Sequence, residues 1–254
     1  SVYAIVLGGW ASNNKYSFIG SLRASAQVIS YEIPLAMSIM GIILICGTLN
    51  LEKIIDYQLH HGWFILFQPL PFLIFFTSAL AESNRMPFDL PETEQELVGG
   101  FHTEYSAMKF AMFFLGEYSH MITLSLLFAV LFLGGWHFPG LTRVLGPGEF
   151  ETWGGAILKF LVLMVKMVFF ICIIMLIRWT IPRFRYDQLM GLAWYVLIPL
   201  SMANLFFTML IKHFNLTPWL LLPLNIVLFL IPGAISIWKQ NQQEQLMRNR
   251  MVPA

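Results

Sequence analysis

The chain has 254 residues, of which 57% are apolar and only 11% are charged, and its formal net charge is +1. Soluble domains usually carry about 25% charged residues, so this composition excludes an ordinary water-soluble core and predicts an integral membrane protein. The near-zero net charge gives no overall field that would attract nucleic acid. We therefore expect a lipid bilayer as the surroundings and no nucleic acid among the partners.

Seven apolar segments follow one another along the chain. A helix needs roughly 20 apolar residues to cross a bilayer. The first segment is the tail of a span and six complete spans follow it, at 2–10, 33–49, 63–80, 108–135, 156–181, 189–211 and 219–238. The predicted fold class is an all-α, multi-spanning helical bundle that forms a single membrane domain over 1–254.

Prolines and polar residues modify several of these spans. Pro34 falls in the first turn of the second span, where its missing N–H is tolerated. Pro199, Pro223 and Pro232 lie inside the last two spans and predict kinks there. The apolar run of the fourth span is long and is interrupted by residues 116–120.

The two cysteines, Cys46 and Cys172, both lie inside apolar runs. They form no CxxC pair, no spacing of metal ligands and no disulfide framework. We therefore predict that the chain itself holds no metal, neither an iron–sulfur cluster nor a structural zinc.

The distribution of lysine and arginine predicts the orientation. One set of connections holds Lys15, Arg23, Arg85, Arg178, Arg183, Arg185, Lys239, Arg248 and Arg250, and the other holds Lys53, Arg143 and Lys212. The positive-inside rule assigns the first set to the cytoplasm. The polar tail, 239–254, is then cytoplasmic.

The connection 82–107 is the acidic part of the chain, and we call it the acidic loop. Its carboxylates, set against Arg85 alone, are Glu82, Asp89, Glu92, Glu94, Glu96 and Glu104. A plain solvated loop is one interpretation. Against it, the loop also contains apolar residues such as Phe88 and Phe101, and clustered carboxylates repel one another, which raises some of their pKa values towards neutrality. Groups of that kind can relay protons.

Several charged residues are predicted at membrane depth. Glu32 opens the second span, where it either caps the helix or belongs to a relay. Glu117 lies near the inner boundary, and Lys166 lies near mid-membrane, where it needs a partner or water; a purely structural ion pair is its alternative. For His102 and His120, packing or hydrogen bonding is expected, with proton handling as the alternative.

Arg178, Arg183 and Arg185 form a basic cluster on the predicted cytoplasmic side. Ordinary positive-inside topology explains such a cluster. The functional alternative is that it docks an acidic loop or a soluble partner subunit.

The acidic loop carries a recognisable pattern. Residues 81–105 read Ala-Glu-Ser-Asn-Arg-x-Pro-Phe-Asp-Leu-x-Glu-x-Glu-x-Glu-Leu-Val-x-Gly-Phe-x-x-Glu-Tyr. This pattern closely resembles the signature loop of the quinone-proximal membrane subunit of respiratory NADH:quinone oxidoreductase (complex I), the family that includes subunit 1 of the mitochondrial complex. Segments 9–17, 22–24, 29–32 and 182–190 resemble further parts of that family. The resemblance covers 1–211 in the family's order.

Two features depart from the family pattern. The family's first two helices and the amphipathic segment after them are missing here, and 219–238 resembles an additional ninth helix.

The resemblance implies an enzyme subunit with no complete active site of its own. The subunit would belong to a large, proton-pumping complex in the inner (plasma) membrane of a bacterium and would share a quinone chamber with its partners. FMN, iron–sulfur clusters and NADH would be held by other subunits. Soluble, cluster-bearing subunits are expected on the cytoplasmic side and antiporter-like membrane subunits beside it.

The resemblance also implies roles for residues. For the quinone chamber they are Arg85, Phe88, Asp89, Glu92, Glu94, Glu96 and Glu104. For a proton relay they are Glu32, Glu82, Glu117 and Lys166. For partner docking they are Arg23, Arg178, Arg183 and Arg185.

Two other classes remain open. One is a homologous subunit of a membrane-bound hydrogenase or ferredoxin-dependent complex, which uses no quinone. The other is a proton-coupled transporter, which would show repeated halves and broken helices near the midplane. The resemblance also leaves open whether the quinone is menaquinone or ubiquinone, while proton is the expected pumped ion.

Overall fold

The computed structural model describes residues 2–89, 100–138, 153–214 and 216–233, and all regular secondary structure in those ranges is helical. Glu92, Glu94, Glu96 and the tail 239–254 lie outside them. The elements in chain order are α1 (Val2–Ala11), α2 (Lys15–Cys46), α3 (Leu51–His61), α4 (Phe64–Phe67), α5 (Pro69–Glu82), a 3₁₀ turn (Gly100–His102), α6 (Ala107–Leu133), α7 (Trp153–Thr180), α8 (Tyr186–His213) and α9 (Pro218–Gly233).

Four of these helices are long and apolar enough to cross a membrane, namely α2, α6, α7 and α8. Three shorter helices, α1, α5 and α9, are also apolar. The prediction of an all-α membrane protein is confirmed. Helix α6 runs without a break through residues 116–120, so the polar residues there interrupt the apolar run and not the helix.

Helix α2 begins much earlier than the predicted span 33–49. Asn14 caps its N-terminus by accepting a hydrogen bond from the Tyr16 N–H at 3.0 Å, and Gly47 ends it in the left-handed region at φ 71°. The placement of Pro34 in a first turn is therefore wrong, because Pro34 lies inside the helix. The capping alternative for Glu32 is wrong for the same reason.

The predicted single span 63–80 is divided into α4 and α5 at Gln68. Pro69 and Pro71 cause the break because neither can donate the N–H that would continue the helical hydrogen bonds. The carbonyl of Phe67, which the N–H of residue 71 would normally reach, instead accepts a hydrogen bond from the Asn225 side chain at 3.2 Å.

Helix α3 was not among the predicted elements because it is amphipathic rather than continuously apolar. It buries Ile54, Ile55 and Gln58, and Asn50 caps its start by accepting from the Glu52 N–H at 3.0 Å. The Gln58 side chain donates to the Val130 carbonyl at 3.1 Å, which fixes α3 across the end of α6.

Helices α6 and α7 pack antiparallel with a large offset. The rings of Phe128 and Phe170 lie 3.9 Å apart, and Lys166 reaches the carbonyl of Leu133, the last residue of α6. The same register puts Tyr118 level with Thr180, where α7 ends. The first turns of α6, up to Glu117, therefore extend past α7.

Helix α8 contains a π-helical segment at Leu192–Leu197, directly before Pro199. The N–H of Ile198 donates to the Ala193 carbonyl, five residues back. A π turn accommodates a proline that cannot complete the normal helical hydrogen bond. In α9, the described part ends at Gly233, so the last residues of the predicted span 219–238 lie outside it.

Helix α2 packs so closely against the last part of the acidic loop that one position admits only glycine. A Cβ on Gly20 would lie 2.9 Å from the Gly100 Cα, while the neighbouring Ser17 hydroxyl donates to the Phe101 carbonyl at 2.9 Å. We predict that Gly20→Ala lowers the free energy of unfolding by about 1–3 kcal/mol, because the two backbones must separate. Unfolding titrations in mixed micelles measure this.

Gly116→Ala is the matched control. No described atom lies within 4 Å of a Cβ at Gly116, and alanine favours a helix by up to about 1 kcal/mol over glycine. Equal destabilisation by both substitutions would contradict the close packing at Gly20.

Candidate functional site

The segment that follows α5 is held against α2 at both of its ends. The buried Gln27 side chain donates to the Ala81 carbonyl at 2.9 Å and to the Phe88 carbonyl at 2.9 Å. Ser83, Asn84 and Arg85 are buried between these points. The charged side chains near the end of α5 are therefore held in a fixed position facing α6.

Two pairs of ionisable side chains join this part of the chain to α6. Arg85 lies 3.4 Å from the carboxylate of Glu117, and His120 lies 3.2 Å from that of Glu82. The two α6 residues are one helical turn apart and their two partners are three residues apart in the chain, so the pairs lie close together. The guanidinium of Arg85 also faces the ring of Tyr118, 4.4 Å from its centroid.

A cleft with a volume of about 250 Å³ opens beside these pairs. Glu82, Glu117 and His120 supply its ionisable wall. Its remaining lining is mostly apolar or small, from Ala4, Ile5, Val28, Ser83, Asn84, Phe101, Phe113 and Gly116. The cleft thus combines an apolar volume with a few converging polar groups, as ligand sites usually do. We call it the carboxylate cleft.

Asp89 lies at the far end of the same segment, in an environment of mixed charge. The pKa of Asp89 is raised to about 6, mainly by burial and to a smaller extent by the charge of Glu117, while Arg183, Arg85 and Arg178 act in the opposite direction. The carboxyl group is therefore able to gain and lose a proton near neutral pH.

The loop between α7 and α8 contacts this segment directly. The ring of Phe88 lies 5.7 Å from that of Phe184 and 6.0 Å from that of Tyr31, and the Phe184 N–H donates to the Pro87 carbonyl at 3.4 Å. These contacts bring Arg183 next to the acidic loop. Arg185, which is exposed, precedes α8.

Three predicted site residues lie away from the cleft. Glu104 accepts a hydrogen bond from the Asn14 side chain at 2.6 Å, at the turn between α1 and α2. Glu32 is on an exposed face of α2, one turn after Val28 of the cleft lining. The guanidinium of Arg23 lies over the ring of Tyr186, 5.6 Å from its centroid.

Lys166 lies at the opposite end of α6 from Glu117, about 24 Å away along the helix. Its ammonium donates to the carbonyls of Leu133, Gly135 and His137 at 2.7, 2.8 and 2.5 Å. All three protons of the group are thereby used on the last carbonyl of α6 and on two carbonyls of the residues that follow it. The geometry thus favours a structural cap at this residue.

Comparison with known proteins places the chain in a family. A family profile described as NADH dehydrogenase matches residues 1–209. The chain belongs to the NADH dehydrogenase family.

Relatives within this family carry one name. The chain is 50% identical over 209 residues to the H subunit of NADH-quinone oxidoreductase from Protochlamydia amoebophila, an alignment that covers 82% of the chain and 59% of that protein. It is 46% identical over 214 residues to the protein of that name from Flavobacterium johnsoniae, with 84% and 61% covered. The chain therefore spans about three fifths of the length of the curated relatives it matches.

Several residues that shape the cleft of this NADH dehydrogenase family member were not predicted from the sequence. Gln27 and Tyr118 fix the position of the charged residues, yet neither carries a charge. Their sequence signals are weak, since Gln27 is a single polar residue among serines and Tyr118 stands next to Glu117. For His120, the structure assigns Glu82 as the partner.

The protonation of Asp89 gives a test of the charge arrangement. The folded-state pKa lies above the ordinary value of aspartate, so folding takes up a proton between about pH 4 and pH 6. The stabilisation from that proton is present at low pH and is lost as the pH rises through about 6. We predict that the carboxyl C=O infrared band of Asp89 titrates with a midpoint near pH 6 and is absent in Asp89→Asn.

Two variants should shift that midpoint in opposite directions. Arg183→Gln raises it, because a cation that favours the carboxylate is removed, and Glu117→Gln lowers it, because a repelling carboxylate is removed. Asp56→Asn, on the exposed face of α3, is the control and leaves the band in place. A band that titrates identically in all four proteins would refute the assignment.

The structural role of the hydrogen bonds that Lys166 donates can also be tested. We predict that Lys166→Met lowers the free energy of unfolding by about 2 kcal/mol or more, because three carbonyls lose a charged donor. Hydrogen–deuterium exchange should also become faster in the last turn of α6. Lys53→Met, at an exposed position of α3, should change stability by less than about 0.5 kcal/mol. Normal stability and exchange in Lys166→Met would rule out the structural cap.

Proposed function

We propose that this chain is a membrane subunit of a proton-pumping NADH:quinone oxidoreductase and that its carboxylate cleft forms part of the quinone chamber. The cleft is the observation that carries the proposal, since its apolar walls end at two ionisable pairs, Glu82 with His120 and Arg85 with Glu117. The names of the curated relatives support a quinone as the substrate class.

The chemistry of a quinone matches these groups. The ring and its tail are apolar, and the two carbonyl oxygens accept hydrogen bonds. His120 lines the cleft and can donate a hydrogen bond to such an oxygen. Reduction adds two electrons and two protons to each quinone and yields the quinol. Protons must therefore arrive at the chamber, and ionisable side chains can deliver them.

We propose that the acidic loop responds when quinone reduction requires protons. Its carboxylates, Asp89, Glu92, Glu94, Glu96 and Glu104, would change protonation or position when quinone is reduced. The pKa of Asp89, which burial raises to about 6, supports this role. Phe88 anchors the start of the loop on Tyr31 and Phe184, so that movement in the loop is transmitted to α2 and to the loop before α8.

The proposed relay passes the change into the membrane through Glu82, Glu117, Glu32 and Lys166. The geometry supports the first two most directly because both line the cleft. Glu32 follows Val28 by one turn and is exposed, so it requires a polar neighbour outside this chain. A role of Lys166 would require release of its three carbonyl partners.

The partner subunits follow from the same scheme. Soluble subunits that hold FMN, NADH and the iron–sulfur clusters would dock on the cytoplasmic side, on Arg23, Arg178, Arg183 and Arg185. Antiporter-like membrane subunits would lie laterally, and the exposed face of α2 with Glu32 fits such a contact. The complex would lie in a bacterial plasma membrane, with the C-terminus of this chain in the cytoplasm.

Neutral variants of the carboxylates test the proposal in the assembled complex. Glu82→Gln and Glu117→Gln should reduce NADH:quinone turnover and proton pumping together by about tenfold or more. Reduction of an artificial electron acceptor by NADH should remain, because that reaction needs only the soluble subunits. Glu94→Gln and Glu96→Gln in the acidic loop should act in the same direction.

Glu52→Gln is the matched control, since Glu52 is an exposed glutamate at the start of α3. It should leave turnover and pumping unchanged. Full pumping by correctly assembled Glu82→Gln and Glu117→Gln complexes would disprove the relay. Loss of turnover in all variants, Glu52→Gln included, would indicate a general assembly defect.

A further inference from the structure

The break between α4 and α5 lies in a second buried polar region, separate from the carboxylate cleft. Gln68 occupies the break and is 0% exposed, Asn204 of α8 is 1% exposed, and Asn225 of α9 is 0% exposed. We call these three residues the amide cluster. None of them carries a charge, and none belongs to the proposed relay.

Close contacts with α2 show that the amides share one space. A Cβ added to Gly41 would lie 3.6 Å from the Gln68 Oε1 and 3.7 Å from the Asn204 Nδ2. Both amides therefore face the side of α2 where Gly41 has no side chain. Asn225 lies close to them, because its side chain donates to the carbonyl of Phe67, the residue before Gln68.

Four polar atoms of the cluster are unsatisfied within the described residues. They are the Oε1 and Nε2 of Gln68 and the Oδ1 atoms of Asn204 and Asn225. Buried polar groups nearly always have a hydrogen-bond partner, and leaving one without costs about 1–3 kcal/mol.

The mixture of donor and acceptor atoms matches the hydrogen-bonding capacity of water. Three acceptors and one donor face the shared space, and a water molecule can donate to the former and accept from the latter. A cation would leave the Gln68 Nε2 unsatisfied and repelled. An anion would be repelled by the three oxygens.

A cavity leads towards the amide cluster from the end of the bundle at which α2 and α8 stop. It has a volume of about 180 Å³, and its lining includes Tyr57, Thr208, Lys212 and Leu221. Thr208 lies one helical turn after Asn204, and Leu221 lies one turn before Asn225. The inner wall of the cavity is therefore adjacent to the cluster.

Lys212 stands at this cavity and donates to the carbonyls of Leu44 and Ile45, at the end of α2. Its positive charge further disfavours a cation in the space behind it. Because Lys212 is exposed, this end of the cavity is within reach of water.

We propose that the amide cluster binds ordered water, which enters through the cavity beside Lys212 and bridges Gln68, Asn204 and Asn225 against Gly41. The cluster lies about 21 Å along α5 from Glu82. Leu70, Ile74 and Phe75, all buried, lie between them on the same helix. The water site is thus open towards Lys212 and closed towards the cleft by these apolar residues. It does not depend on the function proposed for the cleft.

Cysteine accessibility tests the water site in the complete complex in native membranes. A thiol reacts as the thiolate, which forms only where water is present and is suppressed in apolar surroundings. With Cys46 and Cys172 replaced by serine, Thr208→Cys and Asn204→Cys should react with aminoethyl methanethiosulfonate at least about tenfold faster than Ala193→Cys. Ala193 is on the same helix and is 0% exposed, so it is the matched control.

Gly41→Ala distinguishes water in the cavity from water in the amide cluster. Its Cβ would fill the space that the amides share, so it should slow the reaction of Asn204→Cys and leave that of Thr208→Cys unchanged. If Thr208→Cys alone reacts, the cavity is hydrated but the cluster is dry, and the proposal is overturned. The proposal is equally overturned if neither thiol reacts faster than Ala193→Cys.

A density map of the unmodified complex provides a check that needs no variant. In a map that resolves ordered water elsewhere in the bundle, we expect density within hydrogen-bond distance of the Gln68 amide, unchanged when sodium is replaced by choline. Direct bonds between the amides without intervening density would overturn the proposal, and density lost without sodium would identify a cation instead.

Discussion

The guanidinium of Arg85 organises the inner end of this bundle. It leaves the segment after α5, is almost fully buried, and meets the carboxylate of Glu117 and the ring of Tyr118 on α6. Removing one member of a buried ion pair leaves an uncompensated charge, which costs several kcal/mol. The approach of α5 to α6 is therefore fixed by charge, and the cleft between them takes its shape from this pairing. The same guanidinium favours the charged form of Asp89, so the protonation of the acidic loop depends on it as well.

At the opposite end of the helices, two lysine side chains cap the ends of neighbouring helices. Lys166 and Lys212 each extend from one helix to the terminal carbonyls of another, α6 and α2 respectively, where Gly134 and Gly47 end those helices in the left-handed region. At the end of α6, where Lys166 is buried, such a partner is needed because no water can satisfy the carbonyls there. A charge at membrane depth is thus not by itself a sign of proton transfer. The carboxylates that line the cleft and the two lysines lie at different ends of the bundle.

The sequence predicted the continuously apolar elements well. The limits of α6 and α7 agree with the predicted spans 108–135 and 156–181 to within three residues, because their apolar character extends over their whole length. The start of α2 was missed because its first half is rich in serine and is stabilised by close packing with glycines, which hydropathy does not register. The break at Gln68 was missed although Pro69 and Pro71 lie well inside the predicted span 63–80, because the apolar character continues across them and hydropathy does not register the missing N–H groups.

Only the charged residues of the site could be predicted from the sequence. Glu82 and Glu117 stand on consecutive spans beside the acidic loop, so their proximity could be expected. The pairing of Glu82 with His120 and of Glu117 with Arg85 could not, because it depends on the register of α5 against α6. The carbonyl partners of Lys166 could not be predicted either, since any residue can supply a backbone carbonyl.

The separation of the two polar regions constrains how charge could cross this chain. The carboxylate cleft and the amide cluster lie near opposite ends of α5, with Leu70, Ile74 and Phe75 buried between them. A buried charge without a partner is expensive in such a layer. In the proposed relay, a proton that left the cleft would therefore have a lower-cost route sideways, past Val28 to Glu32 on the exposed face of α2, than straight along α5. On this view the chain would pass a proton or its charge to a neighbouring membrane subunit when quinone is reduced. The apolar layer would block movement along α5 and so make the transfer lateral.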